Sequence, residues 1–341
     1  MVKFGIIGCG TIGKLFSEAI RTSQGAELVA VCDANIERAK KFALERSDKR
    51  KIEYYGDVDS MLRSDIDAVY IGTPSGLHAD SAVRAANAHK NIVIEKPIGI
   101  TLSQLDAIEN ACILNSVKLC AVSQLSFSDG YMRLKQAVDS SEIGKVFLAD
   151  LKMKFYRSED YYLSGGWRGT WEFDGGGALM NQGIHGIGLL LGLMGRPKSV
   201  RAITKTFVHH IEVEDTAAAI VEFESGAIAN IVATTSVQPA LPRTLSLHTE
   251  RGTVTLTEDR LTQWNIDGRE EPLREVAPTY STASVPDNFS CELHRRQLDD
   301  FVAAVNEDRE PMLSINEGRA PVELILAIYR SSKSGQTIYF D

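Results

Sequence analysis

Short apolar runs alternate with helical patterns along the first third of the chain. KFGIIG, LVAVCD, DAVYIGTP, NIVIEKP and KLCAVSQ are rich in Val and Ile and end in turn residues, which predicts buried strands. Between them, Ile12–Arg21, Ile36–Glu45, Leu77–Ala88 and Leu102–Asn115 place apolar residues three and four apart, as amphipathic helices do. Such alternation predicts parallel strands joined by crossover helices, a doubly wound α/β sheet over residues 1–122. From residue 123 the rhythm changes. Lys145–Tyr156, Ser199–Phe207, Ala217–Phe223, Ala227–Thr235, Thr244–Thr249 and Thr253–Leu256 read as strands, several separated only by turns such as Glu224-Ser225-Gly226. Short links between consecutive strands predict an open, mostly antiparallel sheet, so residues 123–341 are expected to form a second domain of α+β type. Helices are predicted near Glu292–Val305 and Asn316–Ser331. Glu270–Asn288, with Pro272, Pro278 and Pro286, reads as a long loop.

A length of 341 residues agrees with two domains. Lys plus Arg number 37 against 45 Asp plus Glu, a formal charge of −8 that opposes binding to a phosphate backbone and speaks against a nucleic-acid partner. The five cysteines are odd in number and form no C-x-x-C pair, so neither a disulfide framework nor structural zinc is expected, and no His/Cys/Asp/Glu cluster has metal spacing. MVKFGIIG carries no secretory h-region, which with the thiols favours a cytoplasmic location. Between Asp174 and Arg196 lie 21 residues without a charged side chain, about the length of a membrane span, yet eight are Gly and three are Asn181, Gln182 and His185. A buried helix of a soluble domain is the better reading, with no membrane partner.

Gly8-Cys9-Gly10-Thr11-Ile12-Gly13 follows the first predicted strand and opens a helix, and Asp33 ends the second strand twenty residues past Gly13. G-x-G-x-x-G in this context is the dinucleotide fingerprint of a Rossmann domain. Its first glycine permits the tight turn; its second lets backbone approach a pyrophosphate, which the helix N-terminus with Thr11 and Ile12 then holds. Asp33 would accept from a ribose 2′-hydroxyl and repel a 2′-phosphate, so NAD is favoured over NADP. It could instead be a solvated strand-end residue or a cap for the helix near Ile36, and Arg38 is expected to face solvent.

Lys96 closes the fifth strand before Pro97, at the sheet end where ligands of open α/β sheets sit. An ammonium there can stabilise a developing alkoxide. The alternative is a pair with Glu95 or a chain reaching solvent. Asn181 and His185 are four apart and would share one helical face, with Gly188 and Gly192 continuing it. The imidazole suits acid/base work near neutrality, and the preceding Gly175-Gly176-Gly177 allows backbone or ligand to come close. Phe155–Phe173 holds seven of the chain's 25 aromatics, among them Tyr156, Trp167 and Trp171. These suit a sugar ring, and Arg157 and Arg168 suit a carboxylate or phosphate on it; an aromatic mini-core or subunit contact would account for the cluster equally well.

With the glycine motif, Glu95-Lys96-Pro97 and Gly175-Gly176-Gly177-Ala-Leu-Met-Asn181-Gln-Gly183-Ile-His185 resemble the Gfo/Idh/MocA family of sugar and cyclitol oxidoreductases, in order and spacing over the whole chain. The resemblance implies that Lys96 bonds the reacting hydroxyl and the nicotinamide ribose and that His185 accepts the proton, with Asn181 orienting substrate or histidine. It implies that Thr73, Pro74, His78, Glu95 and Gln124 border an NAD cofactor. It further implies an exposed sheet face used in a homodimer or homotetramer. The family often has Asp at the position of Asn181 and at that of Gly188, and Arg-Phe where Gln124-Leu125-Ser126-Phe127 stands. These departures bear on substrate and fine chemistry. Two other functions are compatible with the same motifs: a glycosidase that uses NAD transiently, and a dinucleotide-sensing regulator without turnover.

Overall fold

A computed structural model describes residues 1–47, 51–270 and 290–340. Strands β1 (Val2–Ile7), β2 (Ala26–Cys32), β3 (Glu53–Tyr55), β4 (Ala68–Ile71), β5 (Asn91–Ile94) and β6 (Leu119–Ala121) form one sheet in the order β3-β2-β1-β4-β5-β6. Every neighbouring pair is parallel. Helices α1 (Thr11–Thr22), α2 (Ile36–Arg46), α3 (Val58–Leu62), α4 (His78–Asn87) and α5 (Leu102–Asn115) make the crossovers. Because helices cover both faces, the inner strands are largely apolar: Phe4, Ile6, Val31, Val69, Ile71, Ile92 and Ile94 are all buried. Side chains of Asn35, Asp57 and Thr101 cap α2, α3 and α5, whereas α1 starts at Gly10 with no side-chain cap. β1 has β2 on one side and β4 on the other, so the order reverses there. In open α/β sheets the ligand crevice lies outside the carboxyl ends of the strands at such a point.

The second unit is built on β7 (Val146–Lys154), β8 (Pro197–Lys205), β9 (Thr216–Phe223), β10 (Ile228–Thr234), β11 (Thr244–Thr249), β12 (Gly252–Thr257), β13 (Arg260–Ile266), β14 (Arg269–Glu270) and β15 (Ile338–Tyr339). Their order is β14-β13-β12-β11-β7-β10-β9-β8-β15, antiparallel except for the parallel pair β7 and β10. Alternation is clear in β9, where Ala217, Ala219, Val221 and Phe223 are buried and Ile220 is exposed. The same unit contains α6 (Asp129–Asp139), α7 (Glu159–Leu163), a π-helix over Ala178–Gly183 and α8 (Ile184–Met194). Gly186 brings α8 close to β7: a Cβ there would stand 2.6 Å from Met153 Sδ.

Helix α9 (Glu292–Glu307) lies in the range expected for the second domain but folds with the first unit, which comprises residues 1–124 and the described residues 290–319. The reason is apolar cover. Phe301 packs on Phe4 with ring centroids 6.0 Å apart, Val302 sits over Gly25, and the Gln297 amide donates to Ala121 O at 2.8 Å. Helix α10 (Ile315–Ser334) follows. The loop expected over Glu270–Asn288 lies, beyond its first residue, outside the described residues. Among the described residues no helix is long and apolar enough to cross a membrane, and no group of three His, Cys, Asp or Glu could hold a metal ion.

Candidate active site

The carboxyl ends of the first sheet bring the glycine turn, Asp33, Thr73 and Lys96 to one rim. Gly8 has a φ of +102°, and a Cβ on it would lie 2.6 Å from Gly72 O; one on Gly13 would lie 2.3 Å from Gly8 O. Both glycines are therefore demanded by backbone packing. Gly10 differs. Nothing lies within 4 Å of its Cβ position, so this is the glycine that leaves open space at the uncapped start of α1. Free N–H groups and the positive end of the helix dipole face that space.

Asp33 is buried and accepts from Cys9 N at 3.1 Å and Asn35 N at 2.9 Å. It does not cap α2; Asn35 does. Arg38 faces solvent as expected, its side chain 58% exposed, and its Nη1 also lies 3.4 Å from Asp33. Thr73 Oγ1 and Gln124 Oε1 are buried without a hydrogen-bond partner. Thr73 adjoins the glycine turn and Gln124 follows β6 at the same carboxyl end of the sheet, and two orphaned polar atoms on that rim fit a dinucleotide.

Glu95 is buried, accepts from Tyr70 OH at 2.8 Å, and its carboxyl pKa is raised by burial. Tyr70 in turn stacks on Phe16, so Glu95 is anchored from inside the sheet. Lys96 is half-buried, and its peptide to Pro97 is cis. His78 was expected to border the cofactor. Its ring is buried, with both nitrogens on backbone carbonyls, those of Thr73 and Pro97.

In the second unit Gly176 and Gly177 allow close approach of a side chain and of backbone respectively. A Cβ on Gly176 would fall 2.1 Å from Tyr329 OH, and one on Gly177 would fall 1.9 Å from Glu214 O. Glu214, which precedes β9 and was missed in the sequence, accepts from Gly177 N, Leu179 N and Tyr329 OH at 3.0, 2.8 and 2.9 Å. It holds the start of the π-helix in place. Asn181 stands in that π-helix and His185, half-buried, in the first turns of α8, so the simple four-residue face expected for the pair does not apply. Asn181 Nδ2 donates to buried Asp174, and its Oδ1 accepts from Gln182 Nε2 at 2.9 Å. A carboxylate is thus bonded to residue 181 rather than placed at it. The available signals were Asp174 directly before the glycines and the Glu214-Asp215 pair before an apolar strand.

Burial pushes the Glu214 carboxyl up to about 6, against the lowering by its N–H donors and Tyr329. The native state therefore binds more protons than the unfolded chain between the ordinary value of 4.5 and about 6. Stability contributed by protonated Glu214 is full below 4.5 and falls by about 2 kcal/mol as pH rises through that window. Glu214→Gln should remove this component. Denaturant unfolding of both proteins across the window checks it, and parallel pH profiles would refute it.

The aromatic segment is partly a mini-core. Tyr162 donates to Thr235 Oγ1 at 2.8 Å and packs on His209, and Trp171 meets Tyr329 edge-on at 5.3 Å. Tyr156 is exposed. Arg157 is buried and donates to Tyr156 O and to Gln182 Oε1 at 2.6 Å. The guanidinium groups of Arg157 and Arg168 lie 5.4 and 4.9 Å from the centre of the Tyr161 ring, and Arg168 also covers Trp167 at 4.7 Å. Asp174, Asn181, Gln182, Tyr161 and Arg157 consequently form one network, in which Arg157 acts through Gln182.

Known proteins resemble the chain over its whole length. The chain is 27% identical over 346 residues to inositol 2-dehydrogenase of Rhizobium meliloti, covering 97% of this chain and 96% of that protein. It is 28% identical over 204 residues to Oxidoreductase P35 of Formosa agariphila, but spans only 63% of that protein's length. The WlbA dehydrogenase of Bordetella pertussis, crystallised with NADH and UDP-GlcNAcA, superposes with a TM-score of 0.86 at 30% identity, covering 100% of this chain and 99% of that one. Residues 2–123 match the oxidoreductase family with an NAD-binding Rossmann fold and residues 131–255 match the GFO/IDH/MocA C-terminal domain, so the chain belongs to the GFO/IDH/MocA oxidoreductase family.

Proposed function

We propose that this chain transfers hydride between NAD and a secondary alcohol or ketone of a sugar, cyclitol or sugar derivative. The observation that carries the reading is Lys96 at the end of β5, on the same sheet rim as the open turn at Gly10. Gly10 and the start of α1 would hold the pyrophosphate, Asp33 the adenosine ribose, and Thr73 and Gln124 the remaining edge. NAD held there would supply the hydride acceptor, or as NADH the donor, for the carbon bearing oxygen. Lys96 donates a hydrogen bond to that oxygen and stabilises its negative charge. His185 accepts the hydroxyl proton during oxidation and returns it during reduction. Asn181, held by Asp174, orients the substrate, and Tyr156, Trp167 and Arg168 line its approach, with Arg157 fixing Gln182 behind them. Asp33 favours NAD, because a 2′-phosphate would meet its carboxylate.

The purified protein with NAD and a panel of cyclitols, aldoses and sugar acids, UDP-linked ones included, should yield NADH with at least one class. Cleavage of a glycoside without net NADH would replace this reading with a glycosidase, and NADH binding with no turnover on any panel member would replace it with a regulator. The proposal includes a cytoplasmic location, supported by five unpaired thiols, which cell fractionation checks. It includes a homodimer or homotetramer, supported by exposed Ile203, Ile220 and Ile228 on one face of the second sheet, which light scattering reads.

A further inference from the structure

We infer that His78 is a positioning residue, a buried strap tying the loop after β4 to the peptide that carries Lys96. The ring is 1% exposed. Its Nε2 stands 2.7 Å from Thr73 O and its Nδ1 stands 2.7 Å from Pro97 O. Both partners are carbonyl oxygens, which only accept, so the ring satisfies both only by donating from both nitrogens, as the imidazolium. A neutral ring would set one nitrogen lone pair against an oxygen lone pair at the same 2.7 Å. Burial, joined by the Lys96 ammonium, outweighs the two carbonyl bonds and holds the ring's pKa below its usual value. The contact geometry is the case for the charge against that balance: both distances are 2.7 Å, and charge-assisted bonds in a buried place are the strong ones.

The strap joins two of the strand ends on which the proposed chemistry stands. Thr73 O belongs to the residue whose hydroxyl is orphaned beside the cradle, and Pro97 O belongs to the residue after Lys96. Tyr70 and Glu95 anchor β5 from within the sheet, and His78 fixes the next turn from the α4 side. Deprotonation would release one carbonyl and let one loop shift against the other. Its effect on NADH rests on the dinucleotide reading above; the strap itself does not.

The test has two arms. In nitrogen-15 spectra of the labelled protein at pH 7, both His78 ring nitrogens should carry protons; one bare nitrogen overturns the strap. In a fluorescence titration, folded His78→Phe should bind NADH at least tenfold more weakly than the parent. His78→Gln, which can donate to one carbonyl, should fall between them and serves alone if the phenylalanine variant does not fold. Affinities within twofold of the parent overturn the positioning role. If the parent itself binds no NADH, the dinucleotide reading falls, and the ring-nitrogen result alone decides the strap.

Discussion

Lys96→Ala is expected to lower kcat by about a thousandfold on whichever cyclitol or sugar the parent turns over, the size seen when one donor to a developing oxyanion is removed. Cofactor affinity should change far less, by about threefold, because the pyrophosphate is held at Gly10 and the uncapped α1 rather than at the end of β5. The physical case is one of placement. Ile92, Val93 and Ile94 fix β5 in the sheet interior, Glu95 is tied to Tyr70, and the next side chain emerges at the rim carrying a positive charge. An ammonium delivered by so rigid a support needs little reorganisation when charge develops on the substrate oxygen. Steady-state kinetics with an independent NADH titration separates the two effects. A folded alanine variant retaining more than a tenth of the parent kcat would show that the strand-end cation is not a catalytic group.

Gly177→Ala is the substitution with the largest expected cost in stability. Its methyl would be placed 1.9 Å from Glu214 O and 2.9 Å from Val213 Cγ2, and the nearer obstacle is backbone. To relieve it, the Glu214 segment must retreat, which breaks the bonds from Gly177 and Leu179 and frees a buried carboxylate. Losses of this kind belong at the high end of single substitutions, roughly 4 kcal/mol, or a melting point about 10 °C lower for a unit of this size. Gly10→Ala is the counterpart. With open space at its Cβ position and a φ of −82°, alanine fits, and the melting point should move little. NADH affinity should nevertheless fall tenfold or more, since the methyl occupies the space proposed for phosphate. Thermal unfolding and NADH titration of both variants check the pair. A heat-stable Gly177→Ala, or a Gly10→Ala with full affinity, would refute the corresponding role.

These two glycines also show what can be read from sequence and what cannot. Gly10 belongs to a local pattern of strand, turn and helix within about a dozen residues, so its use follows from spacing. The parallel sheet is legible for a similar reason: Val- and Ile-rich runs such as NIVIEKP alternate with helical spacing and leave one economical topology. Gly177 is different, because the atom it accommodates belongs to Glu214, 37 positions later, and no local pattern announces it. The π-helix escapes notice for the same reason. Its side-chain spacing resembles an α-helix, while its start is held by Glu214 and Tyr329. Arg38 does face solvent, as helix position suggested, and what the sequence leaves unseen is that so long a side chain also reaches back to the acid at the preceding strand end. His78 was placed near the cofactor by motif, but which carbonyls enclose its ring depends on how β4 and β5 come together. The substrate-facing aromatics were legible as a cluster, and only packing shows that Tyr162 is spent on Thr235 and His209.

The return of α9 to the first unit has a consequence for biosynthesis. The sheet that begins at Val2 is not fully covered until Leu298, Phe301 and Val302 have been translated, more than 170 codons after β6 is complete. On the ribosome, the amino-terminal half must wait with Phe4 and Gly25 lacking their final neighbours while the second sheet is made. A fragment ending near residue 124 would carry that bare patch permanently and should be prone to aggregate, whereas one that splices residues 290–319 back on would restore the cover.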